Sequence, residues 1–130
     1  MRSYHDRSLH ELEGFADLVE FVASHDSEAL PKVSFEEYER QLTRLVRKLE
    51  SQIVERHLAR YDVEAQRITV EGVEFVKCLS KQPKTYRSAS GPVSVPRNLF
   101  RPKGGGKCIC PLELRAGIVG GFFTPVLASQ

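Results

Sequence analysis

The fold class is decided by one stretch, residues 63–75, which reads VEAQRITVEGVEF. Before this stretch the apolar residues recur every three or four positions, as on one face of a helix. Within it, strand-forming residues alternate on both sides of Glu71-Gly72, which is typical of two short strands joined by a tight turn (Ile68, Val70, Val73, Phe75). The sequence therefore predicts an α+β protein, helical before residue 63 and an antiparallel meander after it.

Two helices are predicted before this stretch, each opened by a capping box: Ser8 with Glu11, and Ser34 with Glu37. The second has no Gly or Pro from residue 35 to 61, and about 25 residues of helix would be roughly 37 Å long. A narrow apolar stripe runs along it (Tyr38, Leu42, Leu45, Leu49, Ile53). Two interpretations of the stripe stay open. It packs in a hairpin on the first helix (Leu12, Phe15, Val19), or residues 34–61 form a homodimer.

The second half of the chain contains further turn signals. Ser90-Gly91-Pro92 separates two strand-like runs, and Pro96 restricts its own strand to an edge or a bulge because proline cannot donate to the ladder. These runs predict four antiparallel strands. We expect a helical region at residues 1–62, a basic sheet region at 63–110 and the start of a short C-terminal helical segment at 111–130. Thr124-Pro125 indicates a helix start near the end, from which we expect a truncated reading frame or a fragment.

Charge is distributed very unevenly along the chain. Residues 75–112 carry eight Lys or Arg and no acid, a sum of +8, whereas the other 92 residues sum to −6. A basic block of this kind attracts polyanions such as nucleic acid. The alternative is a solvated basic face that balances the acidic half or pairs with it.

The composition excludes several classes of protein. No run approaches the roughly 20 apolar residues of a membrane span, and no secretory signal is visible, so we expect a cytoplasmic protein without a membrane partner. Three cysteines do not make a disulfide framework. Structural zinc usually takes four ligands in closely spaced pairs, so we expect Cys108 and Cys110 to be reduced thiols without a metal, with Cys78 as the third.

Three segments together resemble a known family. Residues 86–101 contain Tyr86, then Gly-x-Val-x-Val-x-Arg from Gly91 to Arg97, then Leu-Phe-Arg, while residues 110–119 read CPLELRAGIV and residues 124–128 read TPVLA. This series, with the Val70–Phe75 hairpin and the long helix, is similar to the N-terminal region of ISKra-type DDE transposases of bacterial insertion sequences. Phe100 stands where that family usually has Tyr. The resemblance extends from residue 35 to the last residue, roughly three quarters of the chain.

The resemblance implies a function in transposition without the chemistry. In such transposases three carboxylates hold two divalent metals in a nuclease core that lies downstream of the matched region. We therefore expect a non-catalytic N-terminal fragment that contributes binding of transposon-end DNA or assembly, with no cofactor of its own. The alternatives are a helical dimerisation module whose basic sheet binds an acidic protein, and a remnant without function.

The residues expected to contact DNA are the bases of the second hairpin and the loop that follows it. They are Lys84, Arg87, Arg97, Arg101, Lys103 and Lys107. Tyr86 and Phe100 are interpreted either as stacking partners for bases or as core residues. No catalytic or metal-binding residue is predicted.

Overall fold

A computed structural model describes residues 9–118 and confirms the α+β class. In chain order the elements are α1 (Glu13–Asp26), α2 (Phe35–Leu58), a 3-10 turn (Ala59–Tyr61), β1 (Arg67–Val70), β2 (Val73–Ser88), β3 (Gly91–Pro102) and α3 (Pro111–Ala116). They fall into two compact units divided between Ile53 and Val54. The predicted capping box at Ser8 and the helix start at Thr124-Pro125 lie outside the described residues.

The first unit is an antiparallel helical hairpin. The Gly14 amide donates to Gln52 Oε1 over 2.7 Å at one end of the hairpin, and the Phe21 and Tyr38 rings lie 5.0 Å apart at the other. Ser34 caps α2 as predicted, because its hydroxyl accepts the Glu37 amide at 3.1 Å. The hairpin interpretation also placed Val19 in the contact with α2, and this detail is wrong. Val19 is 52% exposed, since α1 turns Gly14 and Phe21 toward α2 instead.

The second unit is built on a three-stranded antiparallel meander in the order β1-β2-β3. The β1-β2 turn is the predicted Glu71-Gly72, whose φ angles of 49° and 79° match a turn that needs two left-handed residues. Pro96 lies in β3, which is an edge strand of this sheet, and faces Pro83 of β2. Pro96 thus lies in an edge strand, as the sequence predicted.

The predicted fourth strand is not a separate element. β2 runs for 16 residues through Cys78 and Lys84, where four separate strands would have required a break. The strand stays continuous because it absorbs extra residues in two register shifts, between Lys77 and Leu79 and between Leu79 and Gln82. Lys81 takes a φ of 51° there, and its amide donates at 2.9 Å to the side chain of Asn98. A side-chain acceptor thus stands in for a missing ladder partner.

The core of the second unit lies between the end of α2, the β2-β3 hairpin and α3. Its buried members include Leu58, Tyr86, Val95 and Leu112. α3 begins with Pro111 at its first position and is terminated by Gly117, the residue after the helix, which has a left-handed φ of 74°. This helix closes the core.

Candidate nucleic-acid interface

The structure divides the predicted DNA-contacting residues into an inward and an outward group. Lys84 and Arg97 belong to the inward group, since both are engaged with polar groups of the second unit. The outward group is exposed and consists of Arg87, Arg101, Lys103 and Lys107. Only this outward group is placed to meet a partner in solution.

Arg97 is a structural residue, because its side chain is buried and fully directed at the protein. Its Nε donates to the Tyr86 hydroxyl at 2.9 Å, and Nη1 donates to the Gln82 carbonyl at 2.9 Å. The Tyr86 hydroxyl in turn donates to Glu113 Oε2 at 2.7 Å. Burial, and secondly the Glu113 carboxylate, raise the pKa of Tyr86 far above its ordinary value. The phenol therefore stays protonated and joins the β2-β3 hairpin to α3.

Lys84 completes the same network. Its Nζ lies 3.2 Å from Glu113 Oε2 and 5.3 Å from the centre of the Tyr86 ring. Both Tyr86 and Phe100, which the sequence left between base stacking and core packing, have no exposed surface. They are core residues.

A second polar cluster neutralises two more cations of the basic block. The Lys81 Nζ lies 2.8 Å from Asp62 and 3.2 Å from Glu64, and the Lys77 Nζ lies 3.0 Å from Glu64. The segment after α2 thus brings acids onto the bulged part of β2. This cluster was not predicted from the sequence. One signal existed, because Asn98 is a polar residue within the strand-like run of β3.

One face of the sheet carries the cations that remain outward. Arg67 of β1 faces Val76 of β2, which faces Arg101 of β3, and residues directly opposite one another share a face. Lys103 follows on the same face, since its amide donates to the Glu74 carbonyl in the next row at 3.0 Å. We call Arg67, Arg101 and Lys103 the arginine face. Arg67 was not predicted, although it directly precedes Ile68, the first strand-forming residue named in the sequence.

The arginine face keeps a positive excess. Its only nearby acid among the described residues is Glu74, which lies 3.5 Å from Arg67 and 3.8 Å from Lys103. No acidic side chain in the described part of the chain lies within ion-pairing distance of Arg101. Lys107 is exposed in the glycine loop next to this face, just before the Phe100–Ile109 bridge.

Arg87 does not belong to the arginine face. It lies beside the β2-β3 turn, opposite Pro92, whereas Arg101 lies opposite Val76. The two positions are separated by roughly 30 Å at about 3.3 Å per strand residue. The six predicted residues therefore do not form a single patch.

Two of the three thiols meet beside the arginine face. Cys78 Sγ and Cys108 Sγ are 3.7 Å apart, whereas Cys110 is buried in the core.

Within residues 9–118, no three His, Cys, Asp or Glu side chains are grouped so that they could hold a metal ion. Nor does any described helix combine the length and the apolar character needed to cross a membrane.

The two units differ in charge over their full sequences. Residues 1–53 carry seven bases and eleven acids, a net charge of −4, whereas residues 54–130 carry twelve bases and six acids, a net charge of +6.

No family model, no curated protein and no solved structure gives a significant match to this chain.

Proposed function

We propose that the second unit binds duplex DNA through the arginine face. The observation that carries this proposal is the row formed by Arg67 and Arg101 across the sheet, with Lys103 beside it and one shared acid, Glu74, between the cations. Arginine donates to phosphate oxygens in a planar fork, and each neutralised phosphate releases counterions. The net charge of +6 on residues 54–130 adds a long-range attraction.

This face favours phosphate contacts over base reading. Its members stand on the surface of a sheet, and the aromatic side chains of β2 and β3 are turned into the core. Contacts to phosphates position a protein on DNA but carry no sequence information directly. Together with the resemblance to ISKra-type transposases, we propose a function in binding or assembly at transposon ends, in the cytoplasm. The proposal gives this chain no part in strand cleavage or joining.

The test is the salt dependence of affinity for a short random-sequence DNA duplex. If the arginine face and Lys107 contact four phosphates, log affinity falls against log salt with a slope of about −3 to −4. Arg101→Gln should weaken binding and reduce this slope by about 1. The matched control is Arg87→Gln, which removes the same charge from an exposed site far from the face and should leave the slope nearly unchanged.

Two outcomes would count against the proposal. Equal effects of the two variants would mean that charge alone, and not the arginine face, attracts DNA. Absence of binding at low salt, with capture of an acidic polypeptide such as polyglutamate instead, would favour the alternative of an acidic protein partner.

A second candidate function, dimerisation of the first unit, is favoured by its open apolar flank. Among residues 9–53 only Gly14 is buried, and Val19, Val46 and Ile53 are 52%, 44% and 44% exposed. At 100° per residue, Val19 lies about 140° ahead of Gly14, and Ile53 lies about 100° ahead of Gln52. Since the helices are antiparallel, both rotations lead to the same side of the hairpin.

We propose a second copy of the chain as the occupant of this flank. Two helices alone cannot enclose a hydrophobic core, whereas two paired hairpins would form a four-helix bundle with a core between them. Sedimentation should show a mass that rises from monomer to dimer with concentration, and Val46→Lys should abolish the rise. Ser24→Lys adds the same charge at an exposed polar position, about 140° around α1 from Val19, and should leave the rise unchanged. A monomer at every concentration would exclude this function.

A further inference from the structure

Cys78 and Cys108 form a close thiol pair in the second unit. Their sulfur atoms are 3.7 Å apart and share a hydrogen bond across 30 positions of sequence. Cys78 is partly buried and also lies 3.5 Å from the Leu99 carbonyl, whereas Cys108 is exposed. The third thiol, Cys110, is buried in the core and is not part of this pair.

Two irregularities of the sheet bring these residues together. The β2 register steps from Lys77 opposite Phe100 to Leu79 opposite Leu99, so Cys78 is the extra residue of a bulge. On the other side of β3, Phe100 and Ile109 exchange two backbone hydrogen bonds, of 2.9 and 2.8 Å. This bridge holds Cys108 next to the β3 edge, and the two side chains meet over that strand.

The loop before Cys108 gives the pair room to close. A disulfide has a sulfur–sulfur distance of about 2.05 Å, so the two atoms must approach by about 1.7 Å. Residues 104–106 are three exposed glycines, and Gly105 and Gly106 have φ angles of 91° and 127°. A glycine loop adjusts its backbone at low cost, so the segment that carries Cys108 can shift toward the bulge.

We propose that Cys78 and Cys108 are a modification site that forms a reversible intramolecular disulfide when a small-molecule disulfide of the glutathione type is supplied. The thiolate of the exposed Cys108 attacks one sulfur of the reagent, which forms a mixed disulfide and releases one thiol. Cys78 then loses its proton and attacks the Cys108 sulfur, which releases the second thiol. One disulfide is reduced for each one formed, so atoms and electrons balance.

The surroundings suit this order of attack. Burial, and secondly the hydrogen bond to Cys108, raise the pKa of Cys78, while the charge of Arg101 opposes the rise. Cys78 is therefore the protonated, shielded member that resolves the mixed disulfide, and Cys108 is the member that a reagent reaches first. The cross-link would tie the β2 bulge to the glycine loop. This inference does not rest on DNA binding.

The test is oxidation of the reduced full-length chain with oxidised glutathione at low protein concentration. We expect the mass to fall by two hydrogen atoms and peptide mapping to find Cys78 joined to Cys108. The thermal midpoint of the oxidised chain should rise by about 5 °C or more, because the bond closes a long loop in the unfolded chain. Dithiothreitol should reverse both changes.

Cys108→Ser should lose the cross-link, and Cys110→Ala should keep it. Because Cys110→Ala removes a buried side chain, the peptide map of the unmutated chain remains the decisive measurement. A Cys108–Cys110 peptide, a bond found only between two chains, or three thiols that stay reduced would each overturn the proposal.

Discussion

Asn98 is a polar side chain with no exposed surface, and it holds the segment after α2 against the sheet. Its Nδ2 lies 2.8 Å from the Val63 carbonyl and 2.9 Å from Glu64, and its Oδ1 accepts the Lys81 amide. Asn98→Ala should reduce the free energy of unfolding by about 2–4 kcal/mol, because it removes several hydrogen bonds of one buried side chain at once. Urea denaturation measures the change.

The matched control is Ser94→Ala, at an exposed position of the same strand, which should change stability by less than about 0.5 kcal/mol. Equal losses in the two variants would contradict the assigned role of Asn98.

Glu64 makes the stability of this cluster dependent on pH. The Asn98 amide, followed by Lys77 and Lys81, lowers the pKa of Glu64 from 4.5 to about 2. A carboxyl group whose pKa is lower in the folded chain stabilises it above its unfolded pKa, and the contribution disappears as pH falls through the folded value. Glu64→Gln should therefore destabilise the protein at neutral pH, and this difference should shrink between pH 4.5 and about 2.

Denaturant titrations of both proteins across that pH range give the comparison. Glu71→Gln, in the exposed β1-β2 turn, serves as the control and should show no comparable convergence. Added salt should reduce the Glu64 effect, since this carboxylate is largely exposed.

At the scale of elements, close packing in the helical hairpin depends on Gly14. A Cβ at this position would lie 2.6 Å from Gln52 Oε1 and 3.0 Å from the Leu49 Cα. Gly14→Ala should destabilise the hairpin by about 1–2 kcal/mol, because separating two helix backbones costs more than the roughly 1 kcal/mol that alanine gains in helix propensity. Thermal unfolding followed by far-UV circular dichroism measures the effect.

Ala23→Gly tests propensity alone, since Ala23 is exposed on the same helix. It should cost about 0.5–1 kcal/mol. A stabilising Gly14→Ala would show that the two helices are not in close contact at this point.

The elements that sequence predicted are those with local signals. The Ser34 cap, the helix without Gly or Pro, the Glu71-Gly72 turn and the edge placement of Pro96 each depend on a few neighbouring residues. The continuity of β2 was not predictable, because it depends on Asn98, which is 17 positions from Lys81. Likewise, the inward cations were mistaken for surface residues because their partners, such as Glu113, lie far along the chain.

At the scale of the whole chain, the basic side chains of residues 54–130 fall into two groups. Some are ion-paired or buried within the fold, and others are exposed to solvent. Four of the eight bases of residues 75–112 have an acid within 4 Å, namely Lys77, Lys81, Lys84 and Lys103. Arg97 is turned into the core instead. Half of the basic block thus pairs with acids within the fold, while Arg101, Lys107 and Arg87 are exposed.

The acidic side chains of residues 54–130 are mostly engaged in contacts within the fold. We therefore predict no metal-dependent cleavage or joining of DNA by this chain. Two-metal phosphoryl chemistry needs several convergent carboxylates. Residues 54–130 contain six acids, and the described contacts engage five of them with bases, amides or a hydroxyl. They are Glu55, Asp62, Glu64, Glu74 and Glu113. The sixth, Glu71, lies in the exposed β1-β2 turn.

Nicking of supercoiled DNA with Mg²⁺ or Mn²⁺ at high protein concentration is the measurement, and the protein should match a buffer blank. Glu113→Gln separates a contaminating nuclease from activity of the chain itself. Glu113 is held by Tyr86 and Lys84, so its substitution should lower stability without changing a cleavage background. Reproducible metal-dependent nicking that Glu113→Gln abolishes, in a variant that remains folded, would show that this carboxylate reaches a metal. The prediction and the proposed non-catalytic function would then both be wrong.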